Sequence, residues 1–479
     1  MTELEPVPIT GRLFWQVLLL LFALSCIGNI FPLALGPVII LAVVFLTRCV
    51  SGARIHSAGK LMIGLYGYAV VSAMLAGVPV SAFWNYNFLR NDAKFVFAYI
   101  PFLAALVVPH REDELRLAGS VWIFGAAIPV ALAGLSPLIP ELDLGSHLGY
   151  PLFRFTEAGI SVFHGLFIAH TATGSFYALG LIFAIYMARA SRTPWLFYAA
   201  AVLIATGLVL SLSRAFVIGT VVAFLLESIL RRRWKMLIGG ALIGALLLVV
   251  AGGPLLDRLE LGSDDPSAVY NTQVRLALWA RAVQYIRTSP LLGIGFSRFD
   301  DYPENFSGTP GFVAMKDSGR GIQAVDGDAE WSMEAHNNYL QILAEQGILG
   351  LLLWGIFWRK ALVPIYRIYR NSAPNSFQGA WSGACLGCSV SVFIASLFDL
   401  NFWAPAVMLP LGWALGAALT LNTTADGCSV YVHKQSRLTL YPQKQPELNR
   451  RSTSRDQWPS CSSVFCGISL SFPVRNTCE

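Results

Sequence analysis

Apolar runs of membrane-spanning length alternate with short polar breaks along most of this chain. They fall near 13–31, 33–47, 61–77, 94–108, 117–137, 164–187, 195–211, 214–230, 236–252, 338–358, 379–398 and 402–421. A helix crossing a bilayer needs about 20 mainly apolar residues, fewer where flanking groups snorkel. The pattern therefore predicts an all-α polytopic membrane protein of about twelve transmembrane helices. The division it suggests is a leader at 1–12, nine spans over 13–252, one large extramembrane loop at 253–337, three spans over 338–421 and a tail at 422–479.

Charge fixes the direction of threading. With the N-terminus inside, the inner loops collect sixteen Lys and Arg residues, among them Arg12, Arg48, Arg111, Arg189, Arg231 and Arg370. Four, Arg90, Lys94, Arg154 and Arg214, fall in short outer loops or at outer span edges. One orientation satisfies the positive-inside rule, and it leaves both termini cytoplasmic. The first span follows an acidic leader without an Ala-x-Ala cleavage site, so it reads as a signal anchor. At 479 residues, 55% hydrophobic and 13% charged, with mean hydropathy +0.58, the composition excludes a soluble domain.

The large outer loop is acidic, with seven cations against twelve acids between residues 253 and 335. Within it, Asn271 to Thr288 predicts a helix with Asn271 as N-cap, an apolar stripe of Leu276, Trp279, Val283 and Ile286, and Pro290 as its stop. Pro290-Leu-Leu-Gly293-Ile-Gly295 follows as a turn. No Gly-Lys-Ser/Thr comes after these glycines, so a nucleotide-phosphate loop is excluded. Asp326-Gly-Asp328 lacks the ligand alternation of a calcium loop and reads as an acidic turn. Cys385 and Cys388 lie inside an apolar span and read as packed thiols. The tail from 422 loses periodicity and reads as disordered, or as an extension of the reading frame.

Four places suit chemistry. Ser211-Leu-Ser-Arg214 opens a span on its outer edge, where the guanidinium and the helix N-terminus both favour an anion. An interfacial arginine reaching lipid phosphates is the plainer alternative. His336 joins the loop to a new helix, a position suited to a general base, and equally to a capping or interfacial histidine. Asn337 or Asn338 can cap that helix instead and leave His336 facing a cavity. Asp399, the one acid in the last pair of spans, can orient a base, pair with an arginine or stand solvated. Arg154 in the outer loop 138–163 is ambiguous in the same way. No His or Cys set has metal-ligand spacing, so no metal is expected.

Three pieces in this order resemble the bacterial O-antigen ligase and polymerase superfamily, which includes protein O-oligosaccharyltransferases. They are Ser211–Arg214, then Arg275-Leu-Ala-Leu-Trp279 with Pro290–Gly295, then His336-Asn337 to Gly347. The twelve-span layout with its large loop before the tenth span is similar too, and the resemblance runs over roughly 13–421. It implies a glycosyltransferase in the bacterial inner membrane, working at the periplasmic face on a glycan carried by undecaprenyl pyrophosphate. No cofactor, nucleotide sugar or metal is implied, and the partners are the lipid-linked donor, a lipid A-core or other glycan acceptor and membrane lipids, with no nucleic acid. By position, Arg214 and Arg275 look like the donor-pyrophosphate arginines and His336 like the residue that activates the acceptor hydroxyl. Arg287 is a possible substitute for Arg275. Arg154, Asn337 and Asp399 are candidates for substrate contact.

The leading expectation is the ligase, moving O-antigen to the lipid A core. Behind it stand a polymerase of O-antigen or capsule and a protein O-glycosyltransferase. A transporter of lipid-linked sugars is the rival of a different class. It is disfavoured because the spans show no evident internal repeat and the titratable groups cluster at the outer edge.

Overall fold

The computed structural model describes residues 9–27, 31–79, 94–108, 110–139, 142, 152–155, 161–167, 170–232, 266–299, 304–305, 330–331, 334–373, 375–402 and 404–438. Among these residues are twelve α-helices: α1 (Ile9–Ser25), α2 (Phe31–Val50), α3 (Ser57–Leu75), α4 (Lys94–Ala105), α5 (Glu112–Leu135), α6 (His170–Arg189), α7 (Pro194–Leu210), α8 (Arg214–Leu230), α9 (Pro266–Thr288), α10 (Asn338–Asn371), α11 (Phe377–Ala395) and α12 (Pro405–Leu438). Two short antiparallel hairpins join them, β1 (Phe153–Phe155) with β2 (Ser161–Phe163), and β3 (Glu304–Asn305) with β4 (Glu330–Trp331). The fold is thus helical as expected, with hairpins that the apolar pattern did not reveal. By length and composition, five helices among the described residues suffice to cross a membrane: α3, α5, α6, α10 and α11. The expected ninth span, 236–252, lies outside the described residues, as does Asp326–Asp328.

The chain divides into a unit spanning Met1–Gly427 and a second from Cys428, described here only through the helical residues up to Leu438. The helix begun at Pro405 therefore runs past the expected start of the tail at 422.

Within the first unit the core is aromatic and small at once. Trp122, Trp381 and Trp413 meet edge to face at ring separations of 5.6–5.8 Å, a geometry that adds to the gain from burial. Glycines let helices touch: a Cβ on Gly219 of α8 would lie 2.5 Å from the Ser391 carbonyl oxygen of α11. Lipid gives helices little hydrophobic reason to associate, so close approach at small residues carries the packing. Cys385 and Cys388 are both fully buried in α11, as packed thiols should be.

One end of the bundle is closed by a buried ion pair. Arg189, ending α6, donates to both carboxylate oxygens of Glu227 on α8, at 2.5 and 3.3 Å. Tyr369 of α10 donates its hydroxyl to the same carboxylate at 3.2 Å, and Arg231 stacks over the Tyr369 ring at 4.0 Å. A buried charge pair of this kind holds only when its remaining lone pairs are also satisfied, and the tyrosine supplies that bond.

The other end is organised by a break in α10. Gly347 (φ 65°, ψ −170°) interrupts the helix, in a region of backbone space that glycine alone occupies readily. The turn Pro290–Gly295 crosses this break and pairs with it. Ile294 and Gly295 donate to the carbonyls of Ala344 and Glu345, both at 2.9 Å, and Ile348 donates to Pro290 at 2.9 Å. From α3, Tyr68 donates its hydroxyl to the Gln346 carbonyl at 2.6 Å. The glycines expected to make a plain turn therefore rebuild the hydrogen bonds that a broken helix forfeits.

The helix α9 departs from expectation in two respects. It starts at Pro266, not at an Asn271 cap, since proline at a first helical position loses no hydrogen bond. Its buried edge is Leu278, Arg281 and Ala282, packed with Phe299, Ala335 and Ala344, whereas Leu276 and Val283 of the expected stripe are exposed. What α9 faces is the crossing of the turn with α10, and small Ala344 there admits Leu278 and Ala282.

The crossing generates a test. A Cβ on Gly347 would stand 2.3 Å from the Leu291 carbonyl oxygen, while one on Gly355 meets nothing within 4 Å. Gly347→Ala is expected to lower the melting temperature of the detergent-purified protein by several degrees, and Gly355→Ala to leave it within about a degree. Equal melting of the two variants would remove the crossing from the account.

Candidate functional site

The site builds from the start of α10. Asn337 is extended (φ −157°) and caps the helix, its Oδ1 accepting from the N–H groups of Tyr339 at 3.0 Å and Leu340 at 3.1 Å. That satisfies two of the orphan donors at the helix start. Its Nδ2 donates to the Leu397 carbonyl at 2.9 Å. Both ends of the Asn337 side chain thus serve the fold, in the capping role that the sequence offered for Asn337 or Asn338.

The cap is supplied by Asn337 and not by His336, whose imidazole is part-exposed. The His336 backbone is left-handed, φ 47°, a region where histidine is enriched but where any residue with a Cβ is under strain. The residue before it is held from two sides: Ala335 donates to Gln341 Oε1 at 2.7 Å, and its carbonyl accepts from Trp279 Nε1 at 3.1 Å. Gln341 in turn donates to Glu345 Oε1 at 2.9 Å, a carboxylate oxygen that also accepts from the Phe299 N–H at 3.2 Å. Trp279 is where the sequence reading fell short. Its place in the apolar stripe hid its function, although it is the stripe member that carries an N–H.

His336 Nδ1 lies 3.6 Å from Asp399 Oδ1, an ion-pair distance, with the two side chains 38% and 27% exposed. Asp399 is carried by the segment between α11 and α12, and its Oδ1 also accepts from the Leu400 N–H at 2.8 Å. Burial pushes the Asp399 carboxyl up. His336, the Leu400 N–H and the positive charge of Arg275 outweigh that push and hold it below the usual carboxylate range. The structure thus gathers His336, Asp399 and the field of Arg275 in one place.

Arg275 and Arg287 are both exposed on α9, but twelve residues separate them, about 18 Å of helix. Of the two, it is Arg275 whose charge acts on Asp399. The sequence left that choice between Arg275 and Arg287 open. A third arginine of α9, Arg281, is buried, donating Nε to the Tyr285 hydroxyl at 2.9 Å within 5.5 Å of the Phe299 ring centroid.

Arg214 begins α8 after a left-handed Leu212 (φ 52°). Its helix runs antiparallel to α11: Glu227, near the end of α8, meets Tyr369 just before α11, while Gly219 packs on Ser391. Five residues before Gly219, Arg214 comes level with Ser396, whose carbonyl accepts from the Asn338 N–H at 2.9 Å. Arg214 therefore belongs to the same end of the bundle as His336 and Asp399. Its tight entry needs Gly174 of α6, where a Cβ would fall 2.1 Å from that of Ser213. Arg154 sits in β1, opposite Val162 of β2, and its side chain lies outside the described residues.

A cavity of about 490 Å³ opens elsewhere, lined by His110, Arg111, Asp113, Ser376, Phe377 and Leu421 at the far ends of α5 and α11. It contains none of the residues above.

Such an arrangement can present an imidazole, oriented through Nδ1 by a carboxylate, with guanidinium groups at the same end of the bundle. That is the equipment for accepting a proton near an anionic leaving group.

Comparison with known families adds one match and no curated relative. The family model described as O-antigen ligase matches residues 199–355, and no curated protein matches the chain. The matched stretch takes in Arg214, Arg275 and His336 and stops short of Asp399. Over residues 199–355, then, this apolar, largely helical chain is similar to the family described as O-antigen ligase.

Proposed function

We propose that the protein is an O-antigen ligase, a metal-independent glycosyltransferase of the bacterial inner membrane. It transfers a glycan from undecaprenyl pyrophosphate to a hydroxyl of the lipid A core at the periplasmic face, with both termini cytoplasmic and twelve spans in the membrane. The observation that carries this reading is the pair His336–Asp399, 3.6 Å apart and within the field of Arg275. His336 takes the proton of the acceptor hydroxyl through Nε2 while Asp399 orients the ring through Nδ1. The hydroxyl oxygen attacks the anomeric carbon, and the bond to the pyrophosphate breaks. Arg214 and Arg275 hold the developing charge, which a guanidinium does bidentately and without titrating. A donor already activated as a pyrophosphate needs no nucleotide.

Purified protein is expected to join a lipid-linked glycan to lipid A-core in detergent, in excess chelator and without nucleotide. His336→Ala should reduce this at least about a hundredfold at unchanged protein level. Chain extension from donor alone, with no product on lipid A-core, would move the assignment to a polymerase. Product that appears only with added divalent metal would refute the arginine-based mechanism.

Arg214→Lys keeps the charge but loses the planar fork, and turnover is expected to fall at least about tenfold. Wild-type turnover by the lysine variant would reduce Arg214 to an anchor in the lipid interface.

The Asp399 carboxyl is depressed in the folded protein. Its contribution to stability is therefore present above the ordinary carboxylate range and is lost as pH falls through the depressed native value. Melting temperatures of wild type and Asp399→Asn should differ at pH 6 and converge on acidification below about pH 4. A gap that widens on acidification would contradict the pairing.

A further inference from the structure

Three consecutive residues after His336 grip the segment that carries Asp399. Asn337 Nδ2 donates to the Leu397 carbonyl at 2.9 Å, and the Tyr339 hydroxyl donates to that of Phe393 at 3.0 Å. Between them Asn338 makes two bonds, one on each side of Asp399. Its backbone N–H donates to the Ser396 carbonyl at 2.9 Å, three residues before the acid, and its Oδ1 accepts from the Phe402 N–H at 3.0 Å, three residues after it.

Asn338 is fully buried, and its Nδ2 has no hydrogen-bond partner among the described residues. Burying an unpaired amide donor is unfavourable. The side chain is thus retained there for its acceptor oxygen, which closes the Asp399 segment into a loop anchored at both feet on α10. Helix capping does not explain this, because Asn337 already supplies the cap. Nor does core packing, which an aliphatic side chain of that size would serve without an orphan donor.

We propose that Asn338 is a positioning residue that sets the separation of His336 and Asp399. It touches neither reacting group. It holds the two feet of the loop so that the carboxylate stands against Nδ1 of the imidazole. This inference rests on the glycosyl-transfer reading of the site.

Its test is a double-variant cycle on the full-length protein in detergent, measuring transfer from undecaprenyl-pyrophosphate-linked glycan to lipid A-core. Asn338→Ala is expected to lower kcat about ten- to a hundredfold, the cost of a small displacement of a catalytic group, with KM for the donor within about twofold. Combined with Asp399→Asn, it should lower kcat no further than Asp399→Asn alone, because both changes release the same imidazole. If the alanine variant is not recovered folded, Asn338→Leu, which fills the space but removes the acceptor oxygen, carries the same cycle. Active wild type with multiplicative losses, or a loss confined to KM, overturns the inference and leaves the function standing. A wild-type protein without turnover sinks the glycosyl-transfer reading, and the inference falls with it.

Discussion

A helix broken within an apolar bundle must have its backbone groups satisfied from elsewhere, and the candidate site depends on how this is done at Gly347. The carbonyls of Ala344, Glu345 and Gln346 accept from the Pro290–Gly295 turn and from Tyr68 of α3. In lipid each unsatisfied group costs several kcal/mol. The turn is therefore held firmly, and with it α9, which it follows directly. Because α9 carries both Arg275 and Trp279, the crossing fixes a cation and the backbone of Ala335 relative to the helix that His336 precedes. Two glycines at the crossing leave room for it: a Cβ on Gly293 would stand 2.3 Å from the Glu345 carbonyl carbon.

Around that crossing, the residues that suit chemistry come from four separate parts of the chain. Arg214 follows a turn between two apolar helices, Arg275 lies on the loop helix, His336 at a loop-to-helix junction and Asp399 between the last two helices. Arg214, His336 and Asp399 lie at or beyond the ends of apolar helices, and Arg275 on a helix outside the apolar runs. That placement suits the lipid-linked donor of the proposed function, whose anchor and reacting bond prefer different solvents.

Much of this was legible in the sequence. Eleven of the twelve apolar runs coincide with described helices, because a run of span length has few other ways to satisfy its backbone in lipid. Arg214 and His336 stood out as charged or titratable groups where apolar helices begin, whereas Arg275 entered only through the family resemblance. What stayed hidden was contact at a distance. The break at Gly347 lies within a run that scans as a continuous helix, and only the turn some fifty residues earlier in the chain makes it a junction. The pairing of His336 with Asp399 crosses two helices, so the sequence offered Asp399 as the orienter of a base only as one of several readings. For α9 the apolar stripe was half right: Trp279 and Ile286 do engage the packed side, but Leu276 and Val283 are exposed, while Arg281 with its ring contacts is buried.

The ion pair at the far end has a mechanical consequence. Arg189, Glu227 and Tyr369 bind the ends of α6, α8 and α10 together where the charges are least able to separate, because parting them would strand each in a low-dielectric interior. On the proposed function, two lipid-borne molecules must enter and one discharged carrier must leave at the other ends of these helices, so the salt bridge ties the bundle together where no substrate has to pass.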